Sequence, residues 1–137
     1  MILKRTFQTA GVAVAALATS LAMATSAHAA DHKVNTTDDR PGGKLTFTRN
    51  GDVVEVCDEQ EDGWRAVGYV INPDGSYRYV MAAGGSGTCL TKGAADGSPW
   101  NLNENKTYTF RICLDHDKPE PSDDRFCNSR KWRAGAG

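Results

Sequence analysis

Between residues 44 and 133 the hydrophobic positions recur with a period of two, and nowhere do they keep the three-to-four spacing of a helix. Residues 44–48 alternate, with Leu45 and Phe47 on one face. Asn50-Gly51 follows, a hairpin signal because both residues accept positive φ. Residues 53–57 (VVEVC) predict a second strand, and the polar run 58–63 a loop. Residues 64–71 predict a third strand, closed by Asn72-Pro73-Asp74-Gly75, where Pro and Gly suit their turn positions. Residues 76–81 predict a fourth, with Tyr77, Tyr79 and Met81 sharing a face. A short strand is expected around Cys89 and Leu90, beyond the flexible run 82–87. The clearest alternation lies in residues 107–114 (TYTFRICL), and residues 125–133 make the last strand. Six or seven short strands without a helical pattern predict an all-β fold, a small antiparallel β-sandwich.

The ends of the chain read differently. Lys4 and Arg5 precede an apolar run over residues 11–24, and Ala27-His28-Ala29 offers small residues for a signal peptidase. Residues 1–29 are therefore expected to be a signal peptide, too short in its apolar run to span a bilayer. Residues 30–43 hold one aliphatic side chain after their first alanine, with one Pro and two Gly, and predict a flexible N-terminal tail. Residues 134–137 (AGAG) predict a frayed C-terminal tail. The sandwich domain is then 44–133, near the size at which covalent staples matter.

Cysteine usage adds those staples. An exported domain holding Cys57, Cys89, Cys113 and Cys127 should carry two disulfides, for which three connectivities are possible. Strand phase favours one of them. Tyr108, Phe110, Ile112 and Leu114 alternate inward, which puts Cys113 outward with Thr109 and Arg111. Val54 and Val56 point inward, which puts Cys57 outward with Glu55. If the two strands lie in opposite sheets, these cysteines cannot meet across the core, and pairing 57–89 with 113–127 is preferred.

Charge and candidate chemistry narrow the function more than they define it. Loss of the leader leaves 14 basic and 17 acidic residues, a net charge of −3, so no nucleic-acid or membrane partner is expected. Gly84-Gly85-Ser86 approaches a nucleophile elbow, but Thr88 replaces its final glycine. His32 lies in the expected tail and His116 in a loop, so neither offers a positioned base. Asp115, His116, Asp117, Glu120, Asp123 and Asp124 form an acidic loop without the alternating ligands and glycine of a calcium loop. Asp58, Glu59, Glu61 and Asp62 read as a solvated loop as well. We therefore expect no enzyme, no catalytic residue, no metal site and no cofactor. Of Trp64, Trp100, Trp132, Tyr69, Tyr77 and Tyr79 at least half are expected in the core, and Tyr77 and Tyr79 beside Arg78 are the candidate exposed platform.

Two resemblances add to this reading. Leu102 and Tyr108, six residues apart, resemble the corner entering strand F of fibronectin III and immunoglobulin-like domains, where the tyrosine hydroxyl returns to the backbone. The Ala-rich leader, Gly51-Asp52 with Val56-Cys57-Asp58, Asp62-Gly63, Tyr108-x-Phe110-x-x-Cys113 and Cys127 before Trp132 resemble small secreted two-disulfide proteins of Streptomyces and related actinomycetes. Some of these look like the connector subunit of umbrella toxin particles, which joins a lectin subunit to a repeat-rich stalk. That resemblance implies a secreted, extracellular adaptor whose partners are lectin-like or repeat-rich proteins. Residues 30–43 would be its arm, with Val34, Asn35, Thr36 and Thr37 as contacts. The competing expectations are a hydrolase inhibitor presenting the loop 114–126 with Pro119-Glu120-Pro121, and a carbohydrate-binding module using Tyr77 and Tyr79.

Overall fold

Alternation decides the architecture, because each long strand buries every second side chain against the opposite sheet. The computed structural model describes residues 31–85, 87–116 and 121–135. Its strands are β1 (His32–Asn35), β2 (Gly43–Thr48), β3 (Val53–Asp58), β4 (Arg65–Ile71), β5 (Tyr77–Ala83), β6 (Cys89–Lys92), β7 (Thr107–Asp115) and β8 (Arg125–Arg133). They form two four-stranded sheets in the orders β1-β2-β3-β6 and β5-β4-β7-β8, with every pairing antiparallel. The chain leaves the first sheet after β3, builds the β4–β5 hairpin in the second, returns to lay β6 beside β3, and crosses again to β7. These crossings make the fold a sandwich of the expected class, with one strand more than the alternation alone predicts.

The core lies between the sheets. Leu45, Phe47, Val54 and Val56 face Val70, Met81, Phe110 and Ile112, all at most 1% exposed. Phe47 and Phe110 stack at 4.5 Å between ring centroids, and Trp132 closes one end 5.1 Å from Phe110. Gly68 lets the sheets approach closely, since a Cβ there would sit 2.4 Å from a methyl group of Val56. The corner expected at Leu102 and Tyr108 is present. Both are buried, and the Tyr108 hydroxyl accepts the Asn103 N–H at 3.0 Å.

Three local expectations are corrected. Residues 30–43 are not a flexible tail throughout, because β1 pairs along β2 from His32 opposite Phe47 to Asn35 opposite Lys44. Val34 is 4% exposed, and the His32 ring stacks on Trp132 at 4.7 Å. The Thr37 N–H donates to the Phe126 carbonyl and the Asn128 amide to the Asn35 carbonyl, so β1 also ties its sheet to β8 of the other. At the other end Ala134 is fully buried, and the Ala134 and Gly135 N–H groups donate to the Lys106 and Glu104 carbonyls. The β2–β3 turn takes positive φ at Gly51 and Asp52 rather than at Asn50-Gly51. The leader expected over residues 1–29 and the last two residues of the expected C-terminal tail lie outside the described residues.

Candidate functional site

Both disulfides join neighbouring strands of one sheet. Cys57 and Cys89 occupy opposite positions on β3 and β6, and Cys113 joins Cys127 across β7 and β8. The phase argument therefore holds, with Cys57 and Cys113 on the outward faces of opposite sheets. All four sulfurs are oxidised, so the clusters of Glu55 with Cys57 and Cys89, and of Asp124 with Cys113 and Cys127, offer no thiolate to a metal.

The Tyr77, Arg78 and Tyr79 platform is taken apart by a bulge. Val70 pairs with Tyr79 while its neighbour Ile71 pairs with Tyr77, so β5 holds one extra residue there. Residues two apart on a regular strand share a face, and an inserted residue reverses that relation. Tyr79 is consequently buried between the sheets against Trp100, at 4.5 Å. Tyr77 is 46% exposed and leans on Tyr69, on the outside of the second sheet. Arg78 turns away to donate to the Pro99 and Asn101 carbonyls at 2.8 and 2.7 Å, clamping the 99–101 loop. Val34 and Thr36 are buried in the chain's own fold, Asn35 is half-buried and Thr37 exposed.

The acidic loops are likewise used internally. The buried Asp115 carboxylate accepts from Arg65 at 2.8 Å, and the Asp124 carboxylate accepts the Tyr69 hydroxyl at 2.7 Å. Asp58 is 2% exposed and accepts the N–H groups of Gln60 and Gly85, which pins the loop after β5. Asp62 accepts the Trp64 N–H, and Glu59 pairs with Lys44 at 3.0 Å. His116 packs edge-on to Trp64 at 5.1 Å. Ser86 of the approximate elbow, and Asp117 and Glu120 with the inhibitor-like Pro119-Glu120-Pro121, fall on or across the residues that are not described.

Burial pushes the carboxyls of Asp52, Asp58 and Asp124 above the ordinary value of 3.8. The folded chain then binds these protons more tightly than the unfolded chain does. Their contribution to stability is full below the unfolded value near 3.8 and declines as pH rises through the raised folded values. Asp31 and Asp74 are shifted down by hydrogen bonds but lie at the surface, where solvent screens them. We expect the thermal midpoint to stay level or rise on acidification from about pH 7 to about pH 4. Asp52→Asn and Asp58→Asn should flatten that profile. Calorimetry across the range checks this, and a steep loss of midpoint near pH 4 would contradict it.

What remains available at the surface is the second sheet. Among the described residues Tyr77, Val80 and Phe126 are the exposed large hydrophobic side chains, and two of the three lie on β5. Val80 sits opposite Tyr69 on the outer face, beside Ala82 opposite Val67. Val67, Tyr69 and Cys113 form a second small core outside the sandwich. Val80 carried no signal of its own in the sequence. An exposed valine on a strand looks like any other, until the register makes β5 the border of its sheet.

No family model, no curated protein and no solved structure matches this chain significantly. No helix among the described residues is long and apolar enough to cross a membrane, and two disulfides are consistent with an extracellular protein.

Proposed function

We propose that this protein is a secreted, non-enzymatic adaptor that binds an extended strand of another secreted protein along the edge of β5. The observation that carries this reading is an edge left open past its bulge, from Val80 to Ala83. Natural sandwiches blunt their border strands with lysine, proline, bulges, shortness or cover, because an open edge recruits other strands. Beyond its bulge at Tyr77–Tyr79, β5 runs on to Ala83 without lysine or proline, and its one charged side chain, Arg78, turns onto the 99–101 loop. It displays Tyr77 and Val80 next to that edge, which suits strand addition with side-chain specificity. The resemblance to umbrella toxin connectors gives the adaptor a concrete setting, between a lectin subunit and a repeat-rich stalk.

The test uses tagged, oxidised mature protein added to culture fluid of the producing organism, with captured proteins identified by mass spectrometry. Wild type should retain a secreted partner in stoichiometric amount. Val80→Asp should reduce that retention about tenfold or more with an unchanged unfolding midpoint, because a carboxylate at the contact must be desolvated. Absence of any partner, or retention indifferent to Val80→Asp, would rule out the β5 edge as the contact.

A further inference from the structure

The net charge conceals a strongly asymmetric molecule. The four strands of the second sheet contain Arg65, Arg78, Arg111, Arg125, Arg130, Lys131 and Arg133, against the single acid Asp115, which is paired to Arg65. The register sorts these cations by face. Lys131 stands opposite Thr109, Arg133 opposite Thr107, and Arg111 opposite Ser129, all in the outward phase of Cys113 and Cys127. Among the described residues none of these three cations forms an ion pair. Arg111 lies 6.0 Å from the Tyr69 ring centroid and within electrostatic reach of Asp124, and Arg133 donates to the Glu104 carbonyl. Lys131 and Arg133 thus hold the less compensated charge, both on the exposed surface.

One row runs across the whole sheet: Tyr77 opposite Ile71, Ile71 opposite Thr109, and Thr109 opposite Lys131. Three strand spacings make it about 14 Å long. A concavity lies along it, lined by Ile71, Thr109, Arg111, Cys127, Asn128 and Ser129. We propose that this outer face of β5-β4-β7-β8 binds a carboxylate-bearing polysaccharide chain. The chain would lie across the strands, with a sugar ring against Tyr77 and carboxylates at Lys131 and Arg133.

The chemistry of the row selects this occupant. A pyranose ring matches roughly one strand spacing, about 4.8 Å, so successive rings can address successive strands. An exposed tyrosine offers an apolar face with a polar tip, which suits a sugar ring. The hydroxyls of Thr107, Thr109 and Ser129 can both donate and accept, as sugar hydroxyls require. Arg133 provides a planar fork for a carboxylate, and Lys131 a mobile point charge. Three cations on one face are few for a nucleic-acid duplex, whose binders neutralise about 6–10 phosphates. The site shares Tyr77 with the β5 edge, but its charged end, Lys131 and Arg133, lies three strands away from that edge.

The test is affinity electrophoresis of the oxidised mature chain through gels containing polygalacturonate, beside gels containing its fully methyl-esterified form. Retardation by the acid and not by the ester is expected, weakening as salt is added. Lys131→Ser with Arg133→Ser should weaken it about tenfold or more, as two charge-assisted contacts are lost. Ser129→Asp, which leaves both cations in place and puts a charge in the concavity, should do the same. Lys33→Ser, on the other sheet, should leave retardation unchanged. Equal retardation by acid and ester, no retardation, or indifference to Lys131→Ser/Arg133→Ser would overturn the proposal. Tighter binding of poly-L-glutamate or of poly(glycerol phosphate) would overturn it too, in favour of an acidic peptide or a phosphate polymer. Partner capture from culture fluid is read independently, so failure of one assay does not pass to the other.

Discussion

Replacing Cys57 and Cys89 together by alanine is expected to lower the unfolding free energy by about 3.7 kcal/mol, and replacing Cys113 and Cys127 by about 3 kcal/mol. The difference follows from the chain closed by each bridge, with sequence separations of 32 and 14. A domain of this size has only about 5–15 kcal/mol in total, so loss of both bridges should leave it unfolded or nearly so at room temperature. Urea denaturation of the two double variants and of the fully reduced chain checks this. Alanine is the right replacement at 113, where the side chain is fully buried beside Val67 and Tyr69 and a serine hydroxyl would add its own cost. Midpoints unchanged by removing either bridge would mean that the cores stabilise this chain without covalent help. The protein would then no longer require an oxidising compartment in order to fold.

The same two bridges show how much of the molecule could be read from its residues. Strand phase was legible wherever one face is buried and the other wet, because a slip of one residue would turn every side chain of the strand around. Residues 107–112 satisfy that condition, and from their alternation the outward position of Cys113 followed, although Val67 and Tyr69 cover it there. The Leu102 and Tyr108 corner was legible for a different reason. The Tyr108 hydroxyl closes it with a local hydrogen bond from the Asn103 N–H, so its signature lies within one short stretch of chain.

What was not legible depends on distant partners or on breaks in periodicity. The bulge between Val70 and Ile71 leaves no mark in the composition of either strand, yet it separates Tyr77 from Tyr79 and removes the platform that alternation predicts. The cationic face was hidden by summation: a net charge counts Glu55 and Asp58 of one sheet against Lys131 and Arg133 of the other. Only the register shows that Thr107, Thr109 and Arg111 share an outward face with Ser129, Lys131 and Arg133. The sequence signal was the strict alternation of those polar residues with Tyr108, Phe110 and Ile112.

Val34→Asp is expected to destabilise the protein by about 3–5 kcal/mol, whereas Lys33→Asp on the same strand should change stability by no more than about 0.5 kcal/mol. Val34 is 4% exposed within the core, so the aspartate loses the transfer energy of a buried valine and adds the cost of burying a carboxyl. Lys33 is exposed and has no such role. Composition misjudged this segment because it weighed only the apolar surface that residues 30–43 themselves supply. The ordering comes largely from outside: β2 supplies the hydrogen-bond ladder, Trp132 stacks on His32, and the Phe126 carbonyl accepts the Thr37 N–H at 3.0 Å. This has a consequence for the proposed adaptor. If residues 30–43 served as a detachable arm, their departure would uncover Phe47 and Trp132 and give up the link from β1 to β8. Removing residues 31–36 should therefore lower the unfolding midpoint before it affects any partner, and chemical denaturation of that variant beside Val34→Asp tests the point. A shortened chain as stable as wild type would return the segment to the role of a free arm.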